Sequence, residues 1–179
     1  SAGTRPQLTD TQALDFTVTK YVAQAGTLTG ANGAGLMIDN WVPPAVGDVN
    51  NFVPTFSVAV DGSGTHTTLQ AAIDAVPPAN ASSRRVYIRL QPGTYRAVVC
   101  VKAKAPIPLY SSAADASQVV IVNGNYSGKA KAANVDTANP CNPNLSGTTF
   151  GTSGSASVAI HSNDFHAKNI SFANDAMPG

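Results

Sequence analysis

The sequence predicts an all-β chain, and among all-β architectures it favours a parallel β-helix over a sandwich. Three observations predict this. Short apolar runs recur between turn signals from residue 56 onward, and a single helical stretch interrupts them. Several of the strands they predict are short. Asparagines in "VNGN" (122–125) and "FAND" (172–175) stand where the chain would bend, and Asn tolerates the left-handed corner conformation. Pattern alone leaves a sandwich open.

Taken in order, residues 8–26, "LTDTQALDFTVTKYVAQAG", read as a helix. Thr9 is its N-cap, Gln12 its capping-box partner, and Gly26 its stop. The stretch to about residue 54 is rich in Gly, Asn and Pro. With "NWVPP" and "FVP" as anchors it reads as an extended wrap around a body. The body opens with the strand "FSVAV" and the turn "DGSG". A helix follows in "TTLQAAIDAV", with Thr67 as cap, Leu69, Ala72, Ile73 and Val76 on one face, and Pro77–Pro78 as terminator. Such a helix sits where a coil needs a cap over its apolar end. Six apolar runs come next: "RVYIRL" (85–90), "TYRAVVCV" (94–101), "PIPLYS" (106–111), "QVVIVNG" (118–124), "ASVAIHS" (156–162) and "HAKNISFAND" (166–175).

Composition bounds the function. The 179 residues suffice for one domain with a core. Charged residues make up 12%, about half the usual share, and Ser, Thr, Asn, Ala and Gly take their place. That composition fits a secreted all-β protein. The net charge of +1 gives no field for nucleic acid or anionic lipid, and neither is expected as a partner. Lys102, Lys104, Lys129, Lys131 and Lys168 read as scattered solvated cations. No run of about 18 apolar residues is present, so no membrane span is expected. The chain begins "SAGTRPQ", without a basic leader, so a signal peptide has either been removed or was never part of this sequence. Cys100 and Cys141 are the only cysteines. An even pair fits one disulfide in an oxidising compartment, where it would stabilise the fold by roughly 4 kcal/mol. Four Asn-X-Ser sequons, at Asn80, Asn125, Asn144 and Asn169, are possible glycosylation positions.

The chemistry-bearing residues read mostly as scaffold. His161, Asp164 and His166 offer an H-x2-D-x-H set. An odd spacing between the two histidines would turn them to opposite faces of one strand, and "ND" breaks the strand between them. No metal site is expected. Asp164 and Phe165 should shape a corner, with the Asp side chain bonding local backbone. His66 reads as a helix-entry residue, and Asp115, Asp136 and Asp175 as turn acids. No G-x-S-x-G elbow occurs, so a Ser-His-Asp hydrolase has no support.

Several motifs in order then carry a resemblance. Asp61-Gly62-Ser63-Gly64, the run Thr68 to Ile73 ("TLQAAI"), and Pro92-Gly93-Thr94-Tyr95 resemble the opening of pectin methylesterases, a family of carbohydrate esterases. Residues 151–175 resemble that family's "G-T-x-G-S-x-T" and "D-F-x-A-x-N-I-T-F-x-N" segments. One departure stands out: Arg96-Ala97 follow Tyr95 where the family has a Glu. The resemblance covers about residues 56–179, and "RPQLTDTQALDFTVTKY" is similar to a helical segment of bacterial-type members.

The resemblance implies a right-handed parallel β-helix with an N-terminal capping helix. Residues 1–55 would be the helix and wrap, and 56–179 the first coils of a domain that continues past the chain end. It implies hydrolysis of the methyl esters of homogalacturonan, with release of methanol, by a monomer without a cofactor. An Asp nucleophile, an Asp acid/base, an oxyanion Gln and an orienting Arg would do the chemistry. Two carboxylates of different pKa need a close pair in a partly buried cleft. The family's motifs for them, "Q-A-V-A", "Y-Q-D-T-L", "V-D-F-I-F-G" and "L-G-R-P-W", are absent from these residues. No catalytic residue is therefore expected in this chain, and a C-terminal remainder of the same enzyme is the expected companion. One contact carries over: Ser157 stands where the family has a groove-lining Thr, so it is the substrate-binding candidate. Two rival readings remain. One is a related β-helix esterase or thioesterase with another substrate. The other is a β-helix that binds carbohydrate without catalysis.

Overall fold

The computed structural model describes residues 8–17, 19–20, 45–132, 138–143 and 147–176. They fall into two units, residues 1–44 and 45–179.

In the first unit, helix α1 (Asp10–Ala13) starts with the predicted capping box. The Thr9 hydroxyl accepts from the Gln12 amide, and the Gln12 side chain accepts from the Thr9 amide. A 3-10 turn continues it over Leu14–Phe16. The predicted long helix then breaks, because Thr17 turns extended at ψ 151°. Its hydroxyl accepts from the Lys20 amide and so begins a separate turn. "NWVPP" and the end of the predicted helix lie outside the described residues, Asn40 included.

The described residues of the second unit wind through nine strands: β1 (Phe56–Val58), β2 (Ile88–Leu90), β3 (Gly93–Arg96), β4 (Val99–Lys102), β5 (Pro108–Tyr110), β6 (Val119–Asn123), β7 (Val158–His161), β8 (His166–Lys168) and β9 (Ser171–Asn174). All pairings between them are parallel. One sheet runs β1-β2-β5-β8, a second β3-β6-β9 and a third β4-β7. β1 and β2 share the first sheet, and from β2 onward successive strands of the chain enter successive sheets, so that a turn of the chain lays one strand on each. This is the topology of a parallel β-helix.

The register stacks like on like. Ile121 lies beside Tyr95 on one side and Phe172 on the other; Val101 lies beside Ile160, and Leu109 beside Ile88 and Ala167. These inward rows make the core, in which Ile88, Leu90, Val99, Val101 and Ile121 are almost wholly buried. Two predicted runs each fold as two strands. "TYRAVVCV" turns a corner at Ala97–Val98, and "HAKNISFAND" turns at Asn169, whose φ is +58°.

Helix α2 (Leu69–Asp74) faces Leu69, Ala72, Ile73 and Val76 into that core, as their spacing predicts. Its cap is Thr68 rather than Thr67: the Thr68 hydroxyl accepts from the Ala71 amide. The helix packs on β1 and β4, which are outermost in their sheets. Gln70 reaches from it to β4. Its side-chain oxygen accepts from the Cys100 amide at 2.9 Å, and its nitrogen donates to the Cys100 carbonyl at 3.1 Å. A side-chain amide thus stands in for a neighbouring strand. The free edge of β1 is met by Thr65 and His66 instead: the Thr65 hydroxyl accepts from the Ser57 amide, and the His66 amide donates to the Ser57 carbonyl. Gly64 makes this approach possible, since a Cβ there would fall 2.6 Å from the Ser57 carbonyl oxygen.

The outer face of the four-stranded sheet is covered too. Phe52 packs on Tyr87 and Tyr110, with ring centroids 4.9 and 5.1 Å away. That is why all three residues of β5 are buried. Within "FVP" (52–54) the anchor is Phe52, while Val53 stands exposed.

Candidate functional site

Ser157 sits at one corner of the coil, immediately before β7, where the second sheet ends and the third begins. Its hydroxyl lies 3.5 Å from the Asn123 carbonyl, and its own carbonyl accepts from the Val99 amide at 2.8 Å. The corner is built from asparagines by local bonding. Asn123 and Asn174 lie beside each other at the ends of β6 and β9, and each accepts from the amide two residues on. They turn the chain by these side-chain bonds, whereas the left-handed corners fall at Ala103, Asp164 and Asn169.

The polar surroundings of this corner are mutually satisfied. Arg96 makes a two-point ion pair with Asp175. Lys129 donates to the side chain of Asn125 and lies 5.5 Å from the ring centroid of Phe150. Arg96 occupies the first of the two positions at which the family pattern is broken, and its guanidinium holds the Asp175 carboxyl below the usual range. Beside the corner, helix α3 (Gly151–Gly154), Asn142, Pro143 and Phe150 line an open cavity of about 440 Å³.

The expected scaffold residues have specific partners. Asp164 has a φ of +53° and does shape a corner, but its carboxylate bonds side chains rather than local backbone. It takes a bidentate pair from Arg85 at 3.1 Å and meets His166 Nε2 at 2.6 Å. Arg85 is 79 residues away, which hid this partner from local reading. His161 stands apart at the exposed end of β7. Among the described residues no three His, Cys, Asp or Glu side chains gather as metal ligands. His66 packs edge-on against Phe56 at the helix entry. Asp115 caps a 3-10 turn through the Ser117 amide, while Asp136 lies outside the described residues.

Most of the described carboxylates have close partners. Asp48, Asp61 and Asp115 accept from nearby amides, Asp74 accepts from Gln70, and Asp164 and Asp175 face arginines. Where the carboxyls of Asp61, Asp115, Asp164 and Asp175 move from the ordinary value they move down, driven first by hydrogen bonds from Ser63, Ser117, Arg85 and Arg96. A general acid needs the opposite shift.

Cys100 and Cys141 form a disulfide and stand 41 positions apart in sequence. Of the sequons, Asn80 is exposed, Asn125 is buried with its side chain accepting from Lys129, and Asn169 donates its amide to the Ser111 carbonyl. Asn144 lies outside the described residues.

A parallel coil with a polar corner places the chain among β-helix proteins. The comparisons with known proteins say which family. A model of the Pectinesterase family matches residues 55–179. A pectinesterase of Ralstonia solanacearum is 40% identical over 181 residues, covering 100% of this chain and 44% of its own length. The structure of rice weevil pectin methyl esterase covers 96% of this chain and 44% of its own, with a TM-score of 0.57 and 21% identity. A pectin methylesterase solved with a hexasaccharide covers 70% of this chain and 32% of its own, with a TM-score of 0.51 and 23% identity. The two structures speak to the fold alone. The chain belongs to the pectinesterase family, and it spans less than half the length of these relatives.

Proposed function

We propose that this chain supplies the N-terminal coils of a secreted pectin methylesterase, in which the methyl esters of homogalacturonan are hydrolysed and methanol leaves. The observation that carries the reading is the family match across residues 55–179, the same residues that wind the coil. Its sequence motifs have structural work to do: Gln70 ties the helix to β4, Gly64 admits the Ser57 carbonyl, and Tyr95 donates to the Gln91 carbonyl. The catalytic Asp pair, the Gln and the Arg lie downstream of residue 179. The engaged, pKa-lowered aspartates described above support that placement. So does the far end of the coil. There the inward residues Ile160 and Phe172 stand 40% and 48% exposed, over rows that are otherwise buried. A further coil would cover them.

In this reading α2 is the cap of a right-handed coil, the hand that parallel crossovers take. Ser157 offers its hydroxyl to the polysaccharide. The protein works as a monomer without a cofactor, and the disulfide fits an oxidising compartment. If the enzyme is glycosylated, Asn80 is the sequon best placed to carry the sugar. The test is methanol release from methylated pectin by the full-length protein. Release by the full-length enzyme, and none by the 179-residue chain, is expected. A full-length protein that releases no methanol overturns the reading.

A further inference from the structure

We infer that Asn139, together with the Cys100–Cys141 disulfide, is the clamp that positions the Ser157 segment against the coil; the inference rests on the reading of Ser157 as a substrate contact. The sequence gives Asn139 no motif, yet its side chain is wholly buried and every polar atom of it is used. Its Nδ2 donates to the Val99 carbonyl at 2.9 Å and to the Ala156 carbonyl at 3.0 Å. Its Oδ1 accepts from the Cys141 amide at 2.9 Å. Its backbone amide donates to the Gly154 carbonyl at 2.8 Å.

These four bonds have one geometry in common. Two of them grip carbonyls of the segment that leads from helix α3 into Ser157, Gly154 and Ala156, one on each side of Ser155. A third ties Asn139 to β4 at Val99, and the Val99 amide donates in turn to the Ser157 carbonyl. The fourth fixes Cys141, whose sulfur is bonded to Cys100 in the middle of β4. Asn139 therefore closes a bridge from β4 to the Ser157 segment, and the disulfide stops that bridge from sliding along β4. A buried amide with both donors and its acceptor satisfied fixes geometry because any displacement leaves a polar atom unpaired. The coil beneath does not depend on it: β4 and β7 keep their own ladder from Val99 to His161. Asn139 is thus a positioning residue, and its loss should loosen the groove wall rather than the reaction centre.

The test uses the full-length enzyme. Asn139→Ala should raise KM for methylated pectin about tenfold, leave kcat within about twofold, and speed amide exchange across residues 153–158 while β2, β5 and β6 keep their protection. Asn139→Asp keeps the acceptor but loses at least one of the two donors, so it should shift KM in the same direction as Asn139→Ala. Ser157→Ala is run beside them. A raised KM in Ser157→Ala with an unchanged KM in Asn139→Ala overturns the clamp and leaves the groove reading standing. An unchanged KM in both overturns the clamp and the groove reading together. A fall in kcat without a change in KM also overturns the clamp. Should Asn139→Ala fail to fold, reduction of the disulfide in the folded wild-type enzyme asks the same question: KM should rise with kcat kept, and an unchanged KM overturns the proposal.

Discussion

The two ends of the coil are built on the same inward rows but finished differently. At the first end, Leu69, Ala72, Ile73 and Val76 cover the core, Gln70 closes the edge of β4, and Thr65 and His66 close the edge of β1. At the other end, Ile160, Ala167 and Phe172 continue the rows of Val101, Leu109 and Ile121, and they are exposed. A parallel coil has two apolar cross-sections, and each needs a cover. The comparison teaches that inward-facing register, and not burial alone, marks what belongs to the core. Phe172 occupies a core position without a core's burial.

The largest expected effect breaks this comparison directly. Ile73→Ala at the covered end should cost about 2–5 kcal/mol in either the 179-residue chain or the full-length protein. If the proposed further coil covers it, Phe172→Ala should cost about 3–5 kcal/mol in the full-length protein. In the 179-residue chain the same change should cost about 0.5 kcal/mol or less, as at an ordinary surface position. Denaturant midpoints of the four proteins measure this. Equal costs for Phe172→Ala in both lengths would mean that no further coil packs there.

Next in size is the disulfide. It closes a span of 41 residues, so Cys141→Ser should lower stability by about 4 kcal/mol in the chain-entropy view. Equilibrium unfolding under non-reducing conditions measures it. The loss should fall on the β4–β7 side of the coil and spare the packing of α2 on β1. Uniform loss of exchange protection across both ends would argue against a local tie.

Gln70 sharpens the contrast between a finished edge and an open one. Gln70→Leu keeps the volume and removes both bonds to Cys100, so it should cost about 1–3 kcal/mol. Gln70→Glu keeps the acceptor for the Cys100 amide but sets an oxygen against the Cys100 carbonyl, so it should not rescue. A cost under about 0.3 kcal/mol for Gln70→Leu would show that water closes this edge as well as the amide does.

How much of this was legible in the sequence follows from the range of each interaction. The capping box at Thr9, the buried face of α2, and the turns at Asn123 and Asn163–Asp164 are local, and short patterns carry them. The corner inside "TYRAVVCV" was hidden because Tyr95, Ala97, Val99 and Val101 keep one alternation straight through it. No Gly or Pro marks the change of sheet. The long helix drawn over residues 8–26 failed at Thr17, where a hydroxyl that could have stayed within one helix begins a new turn. Around the candidate site, Ser157 was reachable through family resemblance. Asn139, Arg85 and the edge-closing role of Gln70 were not, since their partners lie between 30 and 79 residues away, apart from those Asn139 holds close by.

The smallest expected effect concerns Asp164, which links the first coil to the last through Arg85. Its carboxyl is held below the usual range, first by the hydrogen bonds from Arg85 and then by His166. A carboxyl lowered on folding contributes stability above its unfolded pKa of about 3.9, and that contribution fades as pH falls through the folded value. The pair is about 40% exposed on both sides, so solvent limits it to roughly 1 kcal/mol or less. Asp164→Asn should therefore be less stable than wild type by that amount at pH 7, and the gap should close on the acid side of about pH 4. The left-handed φ at residue 164 persists in Asn, which tolerates it, so backbone strain does not contaminate the comparison. Denaturation midpoints of both proteins between pH 3 and pH 7 decide it: a gap that stays constant over that range would assign the role of Asp164 to the corner alone, and not to the tie with Arg85.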